Sequence, residues 1–149
     1  MSAHRQIQDF LVAALGAAPD LTDGGVFANT LDPLPQEVDS QIVVRLLGTA
    51  APPQQILRGP YDWQTQFVVE ASKRVPQGSD PVATIDSLIG SVWSRIAALP
   101  AQSVGLGVLQ VILQPAITWE VERLDTLVIT STLRLTVQHR TAATTLEAA

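Results

Sequence analysis

The segment LVITSTLRLTVQ, residues 127–138, decides the fold class of this 149-residue chain. Its odd positions are mainly apolar and its even positions are mainly polar, which is the two-residue period of a β-strand. The apolar set is Leu127, Ile129, Leu133, Leu135 and Val137, and the polar set is Thr130, Thr132, Arg134, Thr136 and Gln138. The pattern predicts a strand with one side in a hydrophobic core and the other side largely uncharged but polar.

Two helices are predicted upstream of this strand. Asp80 precedes Pro81, and this pair favours a helix start because Asp accepts free amide protons while Pro has none to lose. Apolar residues then recur every three or four positions until Pro100, as expected for a helix: Val82, Ile85, Leu88, Ile89, Val92, Trp93, Ile96 and Leu99. A first helix is predicted from Ser2 to Ala17, with an apolar stripe formed by Ile7, Phe10, Leu11, Ala14 and Leu15.

Three other regions have strand character. Residues 41–48 form a β-branched apolar run, and residues 63–71 alternate like the last strand. Segments 108–113 and 117–122 are separated by Gln114-Pro115, which predicts a bend or bulge because Pro cannot donate to a strand ladder. Residues 19–40, which include Pro33 and Pro35, show no period and are predicted to be an extended connection.

The element order αββαββ predicts an α+β fold, with a four-stranded, mainly antiparallel sheet and two helices packed on one face. The other sheet face is then predicted to be free. It would carry Gln64, Gln66, Glu70, Thr130, Thr132, Thr136 and Gln138. Residues 1–140 are predicted to form a single domain, and the small, polar residues 141–149 a mobile tail.

The composition narrows the classes of function. The chain is 46% hydrophobic and only 15% charged, whereas an average soluble domain is about 25% charged. A surface so poor in charge suggests that part of it is covered by another protein. The net charge of −5 disfavours nucleic-acid binding. The uncharged stretch from Ile96 to Trp119 is interrupted by Pro100 and Pro115, which favours a buried strand region over a membrane span.

No residue pattern in the sequence indicates metal, redox or nucleotide chemistry. The absence of cysteine excludes disulfides, zinc–thiolate sites and thiol nucleophiles. The two histidines, His4 and His139, lie in no cluster with metal-ligand spacing and are expected to be solvated. Gly105-Leu106-Gly107 lacks the third glycine and the following helix of a dinucleotide fingerprint. We therefore expect no metal ligand and no cofactor-binding residue.

Hydrolytic chemistry is equally unsupported. Ser103 and Ser131 lie in no Gly-x-Ser-x-Gly elbow, so no Ser-His-Asp arrangement is indicated. Carboxylates share a strand side in the pairs Asp62 with Glu70 and Glu120 with Glu122, a spacing that is common on a solvated strand. The sequence therefore predicts no catalytic residue, and we expect that the chain is not an enzyme.

Interaction residues are the remaining candidates. The proline-rich loop from Ala50 to Pro60 contains an apolar pair that could anchor a partner. Trp119 lies beside Glu120 before the last hairpin, where it could belong to the core or anchor an interface. The full candidate set for a subunit or partner interface is Ile56, Leu57, Arg58, Tyr61, Trp119, Thr130, Thr132 and Arg134.

The layout also resembles a known family. Trp119-Glu120 enters a terminal hairpin that ends in Leu133-Arg134-Leu135-Thr136-Val137, and this arrangement resembles the tail terminator and tail-completion proteins of long-tailed phages. The similarity covers most of the chain in layout and length and rests on no invariant motif. The sequence departs from the simplest version of the family in its proline-rich region from Pro33 to Pro60.

The resemblance implies a homo-hexameric ring on top of the tail tube that stops tube polymerisation and joins the tail to the head. The implied partners are further copies of the chain, the tail tube protein and a head–tail connector or neck protein. Neither a membrane nor sequence-specific nucleic-acid binding is implied. The protein would reside in the neck region of the virion tail, and in the host cytoplasm during assembly.

Two alternatives remain open from the sequence. One is another phage neck or tail-tube-like structural subunit. The other is a small ligand-binding or enzymatic α+β domain, which a deep polar pocket containing His139 would favour.

Overall fold

The computed structural model describes residues 1–30, 32–52, 59–99 and 105–149. The described helices and strands are α1 (Ala3–Gly16), β1 (Val26–Ala28), β2 (Ser40–Ala50), β3 (Tyr61–Arg74), α2 (Pro81–Ala97), β4 (Val108–Arg123) and β5 (Leu127–Thr141). The strands form a sheet of order β1-β2-β3-β5-β4. The β1–β2 pair is parallel, and the other pairs are antiparallel.

Both helices begin at the predicted caps. The Ser2 side chain accepts a hydrogen bond from the Arg5 amide at 3.4 Å, and Asp80 accepts one from the Val82 amide at 3.0 Å. These bonds satisfy amide groups that a helix start otherwise leaves without partners. None of the helices in the described part of the chain is long and apolar enough to cross a membrane.

The core lies between the two helices and one face of the sheet. Strand register places the odd residues of β3 and β5 on this face, among them Phe67 opposite Leu135 and Val69 opposite Leu133. The buried helix residues that pack there are Ile7, Leu11, Leu15, Ile85, Leu88, Ile89, Val92 and Ile96. The α+β class and the packing of both helices on one face are therefore confirmed.

The predicted four-stranded sheet is wrong in its strand count. Within the described ranges the sheet has five strands and is mixed, with the element order αβββαββ, because β1 adds a short parallel strand beside β2. Buried Gln8 of α1 holds this region, donating to Asn29 Oδ1 at 2.8 Å and to the Val44 carbonyl at 2.9 Å. A strand of three residues is too short to show a period in the sequence.

The predicted irregularity at Gln114-Pro115 is confirmed. Segments 108–113 and 117–122 belong to the single strand β4, and its register against β5 shifts between Leu113 and Ile117. Pro115 removes no ladder hydrogen bond here, because residues in a bulge are not paired with the neighbouring strand.

The second sheet face is only partly free, which corrects the sequence prediction. Buried Leu34 lines a cavity of about 260 Å³ together with Val43 and Val128. The segment of residues 32–39 is held there by Arg74, whose guanidinium donates to the Leu34, Pro35 and Val38 carbonyls. The remaining N–H groups of Arg74 donate to the side chains of Asp125 and Thr126, both at 2.8 Å, so all N–H groups of the guanidinium have acceptors.

The residues after β5 fold back on the domain. Ala142 donates to the Glu147 carbonyl at 3.0 Å, and the Ala3 amide donates to the Leu146 carbonyl at 2.7 Å. Thr141 also forms an antiparallel bridge with Ala148. The tail thus contacts the start of α1, and its mobility stays a prediction.

Phe67→Ala tests the core. Phe67 is fully buried at the centre of β3, so its truncation is expected to cost about 3–5 kcal/mol of unfolding free energy. Leu47→Ala serves as the control, because Leu47 is 52% exposed and its truncation should change stability by less than about 1 kcal/mol. Urea denaturation measures both variants, and equal losses would contradict this assignment of the core.

Candidate interaction surfaces

The uncovered part of the second sheet face forms a polar surface. We call it the threonine–glutamine surface, and its members are Gln64, Gln66, Thr132, Arg134, Thr136 and Gln138. Register joins them across two strands, with Gln64 opposite Gln138 and Gln66 opposite Thr136. Gln114 of β4 donates to the Thr136 hydroxyl at 3.2 Å and extends the surface to the sheet edge.

Ion pairs border this surface. Arg45 contacts Glu70 at 3.0 Å on one side, and Arg140 contacts Asp62 at 2.6 Å on the other. The hydrogen bond from Arg140 lowers the pKa of the Asp62 carboxyl, and the same bond raises the pKa of Arg140. Arg134 has no ion pair among the described residues, which leaves an exposed cation in the middle of a neutral surface.

The structure brings together only some of the predicted interface residues. Thr132 and Arg134 lie on the threonine–glutamine surface. Thr130 is on the same sheet face but at its covered end, where its hydroxyl is 2.9 Å from the Ser72 hydroxyl. Tyr61 is on the helix side, with its ring 5.8 Å from that of Trp63. Ile56, Leu57 and Arg58 lie outside the described residues, and the interface role of the whole set stays a prediction.

Trp119 lies on the helix side of the sheet, away from the threonine–glutamine surface. It is 47% exposed and stands opposite Ser131 on the edge strand β4. With Ile117 it lines one wall of a groove of about 450 Å³, and α2 supplies the other wall through Ile89, Gly90 and Trp93. Of the two alternatives that the sequence leaves open, the core position is therefore wrong, because the packing of α2 over the sheet leaves Trp119 half-exposed on the edge strand.

The two histidines are buried, which corrects the expectation that they are solvated. His4 is 6% exposed and His139 is fully buried, with ring centroids 4.7 Å apart. The Trp63 ring meets His4 edge-on at 5.3 Å, and the Thr65 hydroxyl is 2.7 Å from His139 Nε2. Periodicity could have found this pair: His139 continues the buried odd positions of β5, and His4 precedes Ile7 and Leu11 on the apolar stripe of α1.

Burial controls the charge of both imidazoles. Desolvation lowers the pKa of His4, and desolvation with the nearby His4 lowers the pKa of His139 to about 4. His4 Nε2 and His139 Nδ1 have no hydrogen-bond partner in the described structure. Two ligands are too few for a typical protein metal site, and no group of three or more His, Asp or Glu residues in the described ranges could hold a metal ion.

The histidine pair predicts acid sensitivity. Because the folded-state pKa values lie below the usual 6.5, the unfolded chain binds protons first as the pH falls. The contribution of the two neutral histidines to the unfolding free energy is therefore fully present above pH 6.5 and is lost as the pH falls towards 4. The loss is about 1.4 kcal/mol per pH unit for each proton that the unfolded chain binds in excess of the folded chain. Urea denaturation between these pH values measures the slope.

The matched variant is His4→Gln with His139→Gln, which keeps polar side chains but removes both titrating groups. Its unfolding free energy should vary much less over the same pH range. An unchanged slope in this variant would show that other groups cause the acid sensitivity.

Comparisons with known proteins assign no family. No protein-family model matches the sequence. No curated protein matches it either. A solved chain described as "Virion of native gene transfer agent (GTA) particle" aligns with 94% of this chain and 92% of its own length, at 12% identity and a TM-score of 0.44. A second solved chain aligns with 92% of this chain and 91% of its own, at 16% identity and a TM-score of 0.41. Both similarities are too low to assign a function.

Proposed function

We propose that this chain is a structural subunit of a long-tailed phage virion, a tail terminator that forms a hexameric ring. The ring would cap the tail tube, end its polymerisation and join the tail to the head connector. The observation that carries the proposal is the threonine–glutamine surface, an exposed sheet face that is built for hydrogen bonds to another protein. The layout resemblance to tail terminators supplies the identity of the assembly.

The chemistry of this surface supports contact between subunits. Threonine and glutamine side chains can exchange water for a neighbour's hydrogen-bonding groups without the large desolvation cost of buried charges. Arg134 is the only charged member of the surface, and each neighbouring copy carries a net charge of −5. A carboxylate of an adjacent subunit is therefore a suitable partner for its guanidinium.

A closed ring requires two different complementary patches on each subunit. The threonine–glutamine surface is the first patch. The second is the proline-rich loop that the sequence predicts from Ala50 to Pro60, most of which lies outside the described residues. In the proposed ring, Ile56 and Leu57 would serve as apolar anchors on the neighbouring subunit, and Arg58 would serve as a rim or ion-pair donor.

The proposed role is non-enzymatic and requires no metal or organic cofactor. Its partners are further copies of the chain, the tail tube protein and a head–tail connector or neck protein. Its location is the neck region of the virion, after assembly in the host cytoplasm.

Charge substitution on the threonine–glutamine surface tests the ring. Gln66→Glu with Arg134→Glu places carboxylates at exposed positions, so the fold should persist while contact with an acidic neighbour is lost. Native mass spectrometry of the protein mixed with tail tubes is expected to show hexamers for the wild type and monomers for the variant. The control is Asp9→Lys, an exposed change on α1 that should leave the hexamer intact.

Complementation of a phage that lacks the gene gives the functional measurement. Ile56→Asp with Leu57→Asp, like the surface variant, is expected to yield overlong tails that lack heads in electron micrographs. Tails of normal length from both variants, with intact folds, would refute the ring proposal. Normal-length tails without heads would instead indicate a neck subunit.

A further inference from the structure

β4 lies at the edge of the sheet, and within the described residues it pairs only with β5. Its first half is irregular, with register shifts between Val108 and Gln110 and between Leu113 and Ile117. Its second half, Ile117–Arg123, pairs with β5 without interruption. We call these residues the open edge. Alternate residues along it direct their backbone N–H and C=O groups away from β5, as in any antiparallel edge strand.

The first half of β4 carries the devices that protect sheet edges from unwanted pairing, namely bulges and a proline. The open edge lacks both and instead carries the exposed charged residues Glu120, Glu122 and Arg123. It offers a straight row of backbone groups about 23 Å long, at about 3.3 Å per residue. This length suits the addition of a short extended segment from another chain.

The helix side of the open edge is apolar and accessible at Trp119 and Val121, and it ends at the exposed Arg123. Trp119 and Val121 are 47% and 48% exposed, and Trp119 forms the wall of the groove that α2 closes with Ile89 and Trp93. Side chains from one side of an added strand would enter this groove. A half-exposed tryptophan beside a groove is typical of the anchor residues that dominate binding energy at interfaces.

The opposite side of the open edge is acidic. Glu120 and Glu122 are exposed there and stand opposite Thr130 and Val128 of β5, neither of which is charged. An added strand would therefore place every second side chain beside carboxylates.

These charges disfavour a second copy of the chain as the added strand. The antiparallel register that pairs all residues of two open edges sets Glu120 directly opposite its own counterpart. Like charges in directly opposed positions destabilise a strand pair, whereas opposite charges stabilise it. A strand complementary to the open edge has lysine or arginine beside Glu120 and Glu122.

We propose that the open edge binds, by strand addition, an extended segment of a different protein in which apolar residues alternate with lysine or arginine. The backbone of the segment pairs with the outer groups of residues 117–123. Its apolar side chains enter the groove beside Trp119, and its cations contact Glu120 and Glu122. This site acts whether or not the chain forms a ring.

A capped nine-residue peptide that alternates lysine with valine is the probe. Isothermal titration calorimetry with the full chain is expected to show at least tenfold tighter binding than for a matched peptide that alternates glutamate with valine. Methylation of the peptide amides should abolish binding, because strand addition requires them. Hydrogen exchange should slow at residues 117–123 when the lysine peptide binds.

Two variants test the recognition, and both replace exposed residues, so the fold is retained and is checked by denaturation. Glu120→Lys with Glu122→Lys should reverse the preference in favour of the glutamate peptide. Trp119→Ala should weaken lysine-peptide binding at least tenfold, while Leu47→Ala, an exposed apolar change on β2, should leave it unchanged. Equal binding of the two peptides by the wild type, or an unchanged preference after charge reversal, would overturn the proposal. A homodimer in sedimentation together with slow hydrogen exchange at residues 117–123 in the absence of peptide would also overturn it.

Discussion

The two-residue alternation along β5 is the constraint on which the rest of the structure depends. β5 lies between β3 and β4, so its odd side chains occupy the centre of the face that both helices cover. Ile129, Leu133, Leu135 and Val137 are almost completely buried there. The same geometry sends Thr132, Arg134, Thr136 and Gln138 to the opposite face, because successive strand residues point to opposite sides. One pattern therefore creates both the core and the main candidate contact surface.

The two ends of the second sheet face differ in how far they are covered. One end is covered by residues 32–39, which Arg74 holds through backbone carbonyls. A guanidinium suits this task because it offers several donors in a fixed plane and has no acceptor atom that would itself need a donor. The other end remains open and nearly neutral. That division turns a complete sheet face into a limited patch suited to subunit contact.

The two edges of the sheet are treated differently. At one edge the short strand β1 pairs with β2, and Gln8 ties this region to α1. At the other edge β4 runs past the region that α2 covers, which leaves Trp119 in an open groove. Residues 117–123 combine outward-facing backbone groups, the apolar side chains of Trp119 and Val121, and the carboxylates of Glu120 and Glu122. This combination favours an added basic strand over self-association and provides a contact separate from the threonine–glutamine surface.

The sequence by itself determined the features that repeat locally: both capped helices, the alternation of β3 and β5, the bulge at Pro115, and the polar side that carries Thr132 and Gln66. These follow from helix and strand periods, which operate over a few residues. Only the tertiary structure decided the pairing of β1, the cover held by Arg74, the contact between the rings of His4 and His139, and the edge position of Trp119. Each of these joins residues far apart in the chain, so each depends on which strand lies at which edge and not on local pattern.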